Sequence, residues 1–261
     1  LEQGTGFAVE AAGHRGYVEQ AGAGDPVLLL PSMLVLARSY RPTVRLLSQH
    51  ARALTIELPG SGRGGKLSRP WAFEDYAQWL AACLRRLGLH QPTVIGHSDS
   101  GAVALALAAL HPGLVGRLVV VDTVAVKAQS LMRVLIGRAV DAGLELPLTA
   151  TGLHHAVYNL VRHTRNFAQL VVASAAAELP DYLHRVESPT LIAWGARDHT
   201  MPVSFARSLQ SALRHAQMWR CESGSHDWLI THAAEFERVV RSFIVSCATA
   251  NEGACLRLLE Q

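Results

Sequence analysis

Polar and apolar positions alternate at the start of the chain and then give way to short, wholly apolar runs. Phe7, Val9 and Ala11 alternate with small or polar residues, and Tyr17-Val18-Glu19 follows a turn predicted over Gly13 to Gly16, so an antiparallel hairpin is expected. Apolar runs then recur at Val27 to Leu30, Leu54 to Leu58, Thr93 to Gly96, Leu118 to Asp122, Thr190 to Gly195 and Gln217 to Cys221. Runs of this kind are what parallel strands buried on both faces require. Helical periodicity fills the gaps from Ser39 to His50, Phe73 to Leu87, Ser98 to Leu110, Val203 to Leu213 and Ala233 to Ser246. Trp79, Leu80, Cys83, Leu84 and Leu87 share one apolar face, which places Trp79 in the core.

Between Asp122 and Pro189 the strand rhythm stops and helical spacing takes over, carried by Leu131, Leu135, Ala139, Val157, Leu160 and Val161. An insertion after a strand's C-terminal end lies over the edge where open α/β sheets bind ligands. The expected organisation is a core of residues 1–126 and 188–247, a helical cap of residues 127–187 and a tail of residues 248–261. The fold class is α/β: a mostly parallel open sheet with an N-terminal antiparallel hairpin and helices on both faces.

A chain of 261 residues, 49% hydrophobic and 17% charged, fits one large domain with a sizeable core. Its net charge of +3 is small and scattered, which argues against nucleic acid as a partner. No run of 18 or more apolar residues and no signal-peptide layout appears, so no membrane partner and a cytoplasmic location are expected. Cys83, Cys221, Cys247 and Cys255 have no metal-ligand spacing and are read as reduced thiols.

The chemistry starts at Val94-Ile95-Gly96-His97-Ser98-Asp99-Ser100-Gly101, where a strand breaks at a serine and continues as the small-residue helix Ala102, Ala104, Ala106, Ala108, Ala109. This is the pattern of a nucleophile elbow, with Ser100 in place of the last glycine of G-x-S-x-G and Gly101 one position later. A serine nucleophile needs a base, and the base needs an acid to orient it. His226, in the loop Glu222-Ser223-Gly224-Ser225-His226-Asp227-Trp228 after the last strand, is the candidate base. Asp198 in Ala193-Trp194-Gly195-Ala196-Arg197-Asp198 is the candidate acid, and Asp122 at the end of Leu118 to Val121 is its rival. His97 is read as a packing and hydrogen-bonding residue under the elbow.

These segments, with Leu58-Pro59-Gly60-Ser61-Gly62-Arg63 and Pro189-Thr190-Leu191-Ile192-Ala193-Trp194-Gly195, resemble a small, capped, single-chain α/β-hydrolase-fold enzyme over residues 7–246. The order Ser98, Asp198, His226 is the one this family uses. The resemblance implies a cofactor-independent, metal-free serine hydrolase acting on an ester, lactone or thioester, or on a carbon-carbon bond, with a largely apolar small molecule as substrate. It also implies two oxyanion donors, the amides of Asp99 and of Met33. Pro31-Ser32 replaces the family's usual His-Gly before Met33, which leaves Leu34 as an alternative donor. A lyase, cyclase or acyltransferase, or a ligand-binding receptor, would use the same scaffold. Asp99 itself is read as a charge at a helix N-terminus, as a pocket-side acid or as a solvated residue.

In the helical insertion, His154, His155, Arg162, His163 and Arg165 are either a lure for an acidic substrate or a solvated face. Leu131, Met132, Leu135, Val157, Tyr158 and Phe167 are expected to line the pocket or to hold the insertion to the body. The glycine-rich stretch from Leu58 to Gly65 lacks the closing Lys-Ser/Thr of a phosphate loop and reads as a flexible turn.

Overall fold

The computed structural model describes residues 5–124, 126–145 and 148–249. Its eight strands are β1 (Thr5–Ala11), β2 (His14–Ala21), β3 (Pro26–Leu30), β4 (Arg52–Glu57), β5 (Thr93–His97), β6 (Arg117–Val121), β7 (Thr190–Gly195) and β8 (Ala216–Cys221). They form one sheet in the order β1-β2-β4-β3-β5-β6-β7-β8. β1 pairs antiparallel with β2, and β2 antiparallel with β4; every later pairing is parallel. The hairpin turn is tighter than the sequence suggested. Ala12 and Gly13 make it with φ of 45° and 74°, the double left-handed conformation that suits a two-residue hairpin, while Gly16 lies inside β2.

The helices are α1 (Arg41–Leu47), α2 (Phe73–Arg86), α3 (Asp99–Leu110), α4 (Leu131–Leu144), α5 (Leu148–Arg162), α6 (Thr164–Ala176), α7 (Ser204–Ala212), α8 (Trp228–Thr231) and α9 (Ala233–Thr249). The helix expected from Ser39 starts instead as a 3-10 turn over Ala37–Tyr40, and α1 begins at Arg41 with Pro42 in its first turn. Proline is tolerated there because first-turn amides have no intrahelical acceptor.

Two apolar layers flank the sheet, as its doubly apolar strands demand. One gathers Leu28, Leu30, Val94, Val120 and Ile192 with α2, α3 and α7, and Trp79 is buried in it. The other gathers Val27, Leu29, Ile95, Val119, Val121 and Leu191 with Tyr40, Trp228, Phe236 and Phe243. Alternate residues of a single strand thus serve opposite layers. Burying so many whole side chains, at roughly 1.5–3 kcal/mol each, is the main stabilising contribution.

Cys83 and Cys221 are buried free thiols, whereas Cys247 is disulfide-bonded, a departure from the four reduced thiols expected. Of the expected tail, residues 248 and 249 belong to α9, and residues 250–261 lie outside the described residues. No helix among the described residues is long and apolar enough to cross a membrane.

Candidate active site

The C-terminal ends of β5, β7 and β8 share one edge of the sheet, and the loops that leave them carry Ser98, Asp198 and His226. Ser98 is the hinge between β5 and α3. Its φ of 54° and ψ of −123° are unusual for a residue with a side chain. Neighbouring contacts hold it there. The Ser98 amide donates to the Val121 carbonyl at 2.9 Å, and its own carbonyl accepts from Gly101 N–H at 3.0 Å and from the Thr123 hydroxyl at 3.1 Å. Gly96 and Gly101 make the crossing possible. A Cβ on Gly96 would sit 2.6 Å from the Ser100 carbonyl oxygen, and one on Gly101 would collide with the Thr123 hydroxyl. Ser100 fits where the family pattern has glycine because its hydroxyl donates to the Pro31 carbonyl at 2.6 Å.

Three side chains form one line. His226 Nδ1 is 2.8 Å from Asp198 Oδ2, and His226 Nε2 is 3.0 Å from Ser98 Oγ. An ionised carboxylate only accepts, so Nδ1 carries the imidazole proton and Nε2 is left to accept from the serine hydroxyl. Burial pushes His226 down, but the facing Asp198 charge outweighs it and the net shift is upward. Asp198 is shifted upward by burial, against the pull of His226. Its other oxygen accepts the Met201 amide at 2.7 Å. Asp122 is not bonded to the imidazole. Its Oδ1 accepts from Gly195 N–H at 2.8 Å, and burial next to Asp198 pushes its carboxyl well above the usual range.

Behind this line, Tyr40 and His97 form a second one. Ser32 N–H donates to the Tyr40 hydroxyl at 3.0 Å, Tyr40 lies 2.7 Å from His97 Nδ1, and His97 Nε2 is 3.0 Å from the His226 carbonyl. Since that carbonyl only accepts, His97 is protonated at Nε2 and takes the Tyr40 proton at Nδ1. Burial pushes His97 down to about 3, so the ring is neutral. The expectation of a packing and hydrogen-bonding residue under the elbow matches this placement.

Helix α4 supplies groups that the sequence reading passed over. Asp141, wholly buried, accepts the His199 and Thr200 amides at 3.1 and 2.9 Å and the Thr200 hydroxyl at 2.6 Å, just after Asp198. Glu145 accepts from the Ser225 hydroxyl and, at 2.8 Å, from the Asp227 amide, on either side of His226. Arg138 reaches Asp227 at 3.0 Å and holds that carboxyl well below its ordinary range. Burial pushes Glu145 up to about 7. Arg138, Asp141 and Glu145, the last just past the end of α4, stand three and four residues apart, a spacing that would have marked them as one polar stripe.

The loop after β3 departs furthest from expectation. Met33 N–H does not face open space: it donates to both oxygens of Asp99, at 3.0 and 3.2 Å. Leu34, the alternative, donates to the Ser32 hydroxyl at 3.3 Å. Asp99 also accepts its neighbour Ser100 N–H at 2.9 Å and is completely buried. Its own amide, first in α3, has no intrahelical acceptor.

The histidines of the insertion split. His155 is buried against the Ser39 hydroxyl at 2.7 Å, His163 against the Gly62 carbonyl at 3.1 Å, and His154 is exposed. Asn159 accepts the Gly62 amide at 2.7 Å and Asn166 donates to the Gly60 carbonyl at 2.9 Å, so the turn read as flexible is tied at Gly62 to α5 and at Gly60 to α6. Leu131, Met132, Leu135 and Val157, expected inside, point outward with 41–65% of their surface exposed. Phe167 is half-buried.

Comparisons with known proteins agree with this architecture. The sequence profile of the alpha/beta hydrolase fold matches residues 25–150. The chain is similar to the (E)-2-((N-methylformamido)methylene)succinate hydrolase of Acinetobacter baylyi, 26% identical over 47% of this chain and 46% of that protein. It is 23% identical to the 2-hydroxy-6-oxononadienedioate/2-hydroxy-6-oxononatrienedioate hydrolase of a Pseudomonas species, over 87% of this chain and 91% of that protein. Among solved structures, the serine hydrolase involved in carbazole degradation superposes with a TM-score of 0.80 at 20% identity, over 93% of this chain and 99% of that one.

Proposed function

We propose that this chain, an enzyme of hydrolase type with the α/β-hydrolase fold, is a serine hydrolase that cleaves an ester, lactone or thioester through an acyl-enzyme. The carrying observation is the hydrogen-bonded line from Asp198 through His226 to Ser98, with Ser98 held at the N-terminus of α3. As Ser98 Oγ bonds to the substrate carbonyl carbon, its proton passes to His226 Nε2 and the carbonyl electron pair moves onto oxygen. Asp198 stabilises the imidazolium that forms. Collapse of the intermediate breaks the bond to the leaving group, which takes the proton from His226. Water then attacks the acyl-enzyme and gives its proton to His226, which returns it to Ser98 Oγ as the acyl–oxygen bond breaks and the acid leaves.

The Asp99 amide, with the dipole of α3 behind it, stabilises the developing oxyanion. Residues 127–187 serve as the cap that shapes the pocket over Ser98. The substrate is a small, largely apolar molecule, and cleavage of a carbon-carbon bond next to a ketone is the second reaction open to the same groups. The hydrolase-named relatives favour that pair of reactions over a lyase, an acyltransferase or a receptor.

A fluorophosphonate probe tests the nucleophile. Wild-type protein is expected to gain one adduct, on Ser98, detected by peptide mass spectrometry, and Ser98→Ala none. Equal labelling of the two proteins would overturn the assignment.

A further inference from the structure

The amides from Ser32 to Val35 in the loop after β3 are already spent inside the protein. Pro31 has none, Ser32 N–H goes to Tyr40, Met33 N–H to Asp99, Leu34 N–H to the Ser32 hydroxyl and Val35 N–H to the Ser32 carbonyl at 3.2 Å. An acyl-transfer site ordinarily offers two donors to the oxyanion, and losing one costs on the order of 10²–10³ in kcat. Here the second donor is held by a carboxylate that belongs to the residue supplying the first.

That carboxylate is unusual in its own right. It is wholly buried, it is bonded by the amides of Met33 and Ser100 and by the Ser32 hydroxyl, the cation that acts on it is the His226 imidazolium, and among the described residues no Lys or Arg pairs with it. Buried charges are normally matched by an opposite charge. Its grip on Met33 is a single N–H shared between two oxygens, so it can be released while Oδ1 keeps Ser100. Burial already pushes Asp99 up to about 6, which marks the ionised form as poorly solvated where it sits.

We propose that Asp99 is a specificity-determining residue: it withholds the Met33 amide from a plain acyl group and yields it to one bearing a hydrogen-bond donor, an ammonium or a hydroxyl, on the carbon next to the scissile carbonyl. Such a donor satisfies the carboxylate, separates it from Met33 and restores the second oxyanion contact. A plain acyl group meets a negative charge where its own oxyanion must form. This inference rests on Ser98 being the nucleophile.

The test uses three p-nitrophenyl esters of nearly equal shape, the isobutyrate, the lactate and the alaninate, which place methyl, hydroxyl or ammonium at one position. Rates are compared between wild type and Asp99→Asn, so that intrinsic ester reactivity cancels. Wild type is expected to favour the alaninate and the lactate over the isobutyrate by at least about tenfold more than Asp99→Asn does, with isobutyrate kcat rising in the variant as the charge is removed. The same preference in both proteins overturns the proposal. Should Asp99→Asn fail to show a cooperative melt, Asp99→Ser, which is smaller and neutral, carries the same comparison. Fluorophosphonate labelling separates the two layers: no adduct on Ser98 removes the hydrolase reading and this proposal together, whereas labelling with unchanged preference removes this proposal alone.

Discussion

The two ends of the candidate site are built on opposite terms. At the acid and histidine end, backbone groups on both loops are gripped from outside: Asp141 holds the loop beyond Asp198, and Glu145 and Arg138 hold the residues around His226. At the oxyanion end, the loop after β3 is bonded within itself, to Tyr40 and to Asp99. The first arrangement fixes geometry and leaves the functional atoms facing one another. The second fixes geometry by consuming one of the atoms that the chemistry calls for. For the proposed mechanism, proton transfer is therefore prepared in the resting protein, while charge stabilisation is only half prepared.

Replacing Asp198 by Asn strikes the prepared end hardest. The amide can hold the ring with the wrong tautomer, so kcat for a chromogenic ester is expected to fall about 10⁴-fold with the fold intact by circular dichroism. A drop of less than tenfold would mean that Asp122 serves as the acid. Asp141→Ala removes the grip without touching the reacting atoms. It strands buried donors at His199 and Thr200, and urea unfolding should register a loss of about 1–3 kcal/mol, with kcat affected more than KM because Asp198 loses its alignment. Unchanged stability would show that the α4 contacts are incidental.

The pH profile gives a smaller, graded effect. In the proposed mechanism His226 must be neutral to accept the serine proton, and the Asp198 charge shifts it above its ordinary value of 6.5. Loss of kcat/KM on acidification should accordingly set in above that value in wild type, and the midpoint should move down in Asp198→Asn. An acid limb below pH 6 in wild type would contradict that balance. The least effect is expected from Asp122→Asn: the amide oxygen keeps the Gly195 contact, the carboxyl it replaces is already shifted toward its neutral form, and kcat should stay within about twofold.

Much of this was legible in the sequence because it depends on local pattern. The strands appear as apolar runs since both of their faces are covered, and Ser98, Asp198 and His226 stand out because each follows such a run. Asp141 and Glu145 were missed because acids on a helix are usually solvated, and only the fold brings the end of α4 against two loops more than 50 residues further along. Met33 was assigned by the family's turn, but the fate of its amide depends on a side chain 66 residues away. Backbone donors carry no sequence signature. The same holds for Leu131, Met132, Leu135 and Val157, whose periodicity signals a helix with an apolar side without saying which way that side is turned.

One consequence of the Tyr40–His97 pair concerns where a mobile proton can rest. The rings of His97 and His226 lie 5.1 Å apart, close enough for two matched imidazoles to compete for a single charge during turnover. With Tyr40 donating into one nitrogen of His97 and the His226 carbonyl fixing the proton on the other, His97 offers no vacancy. In the proposed mechanism the charge gained when Ser98 gives up its hydrogen is confined to one ring, and the adjacent ring works as an insulator rather than as a second store.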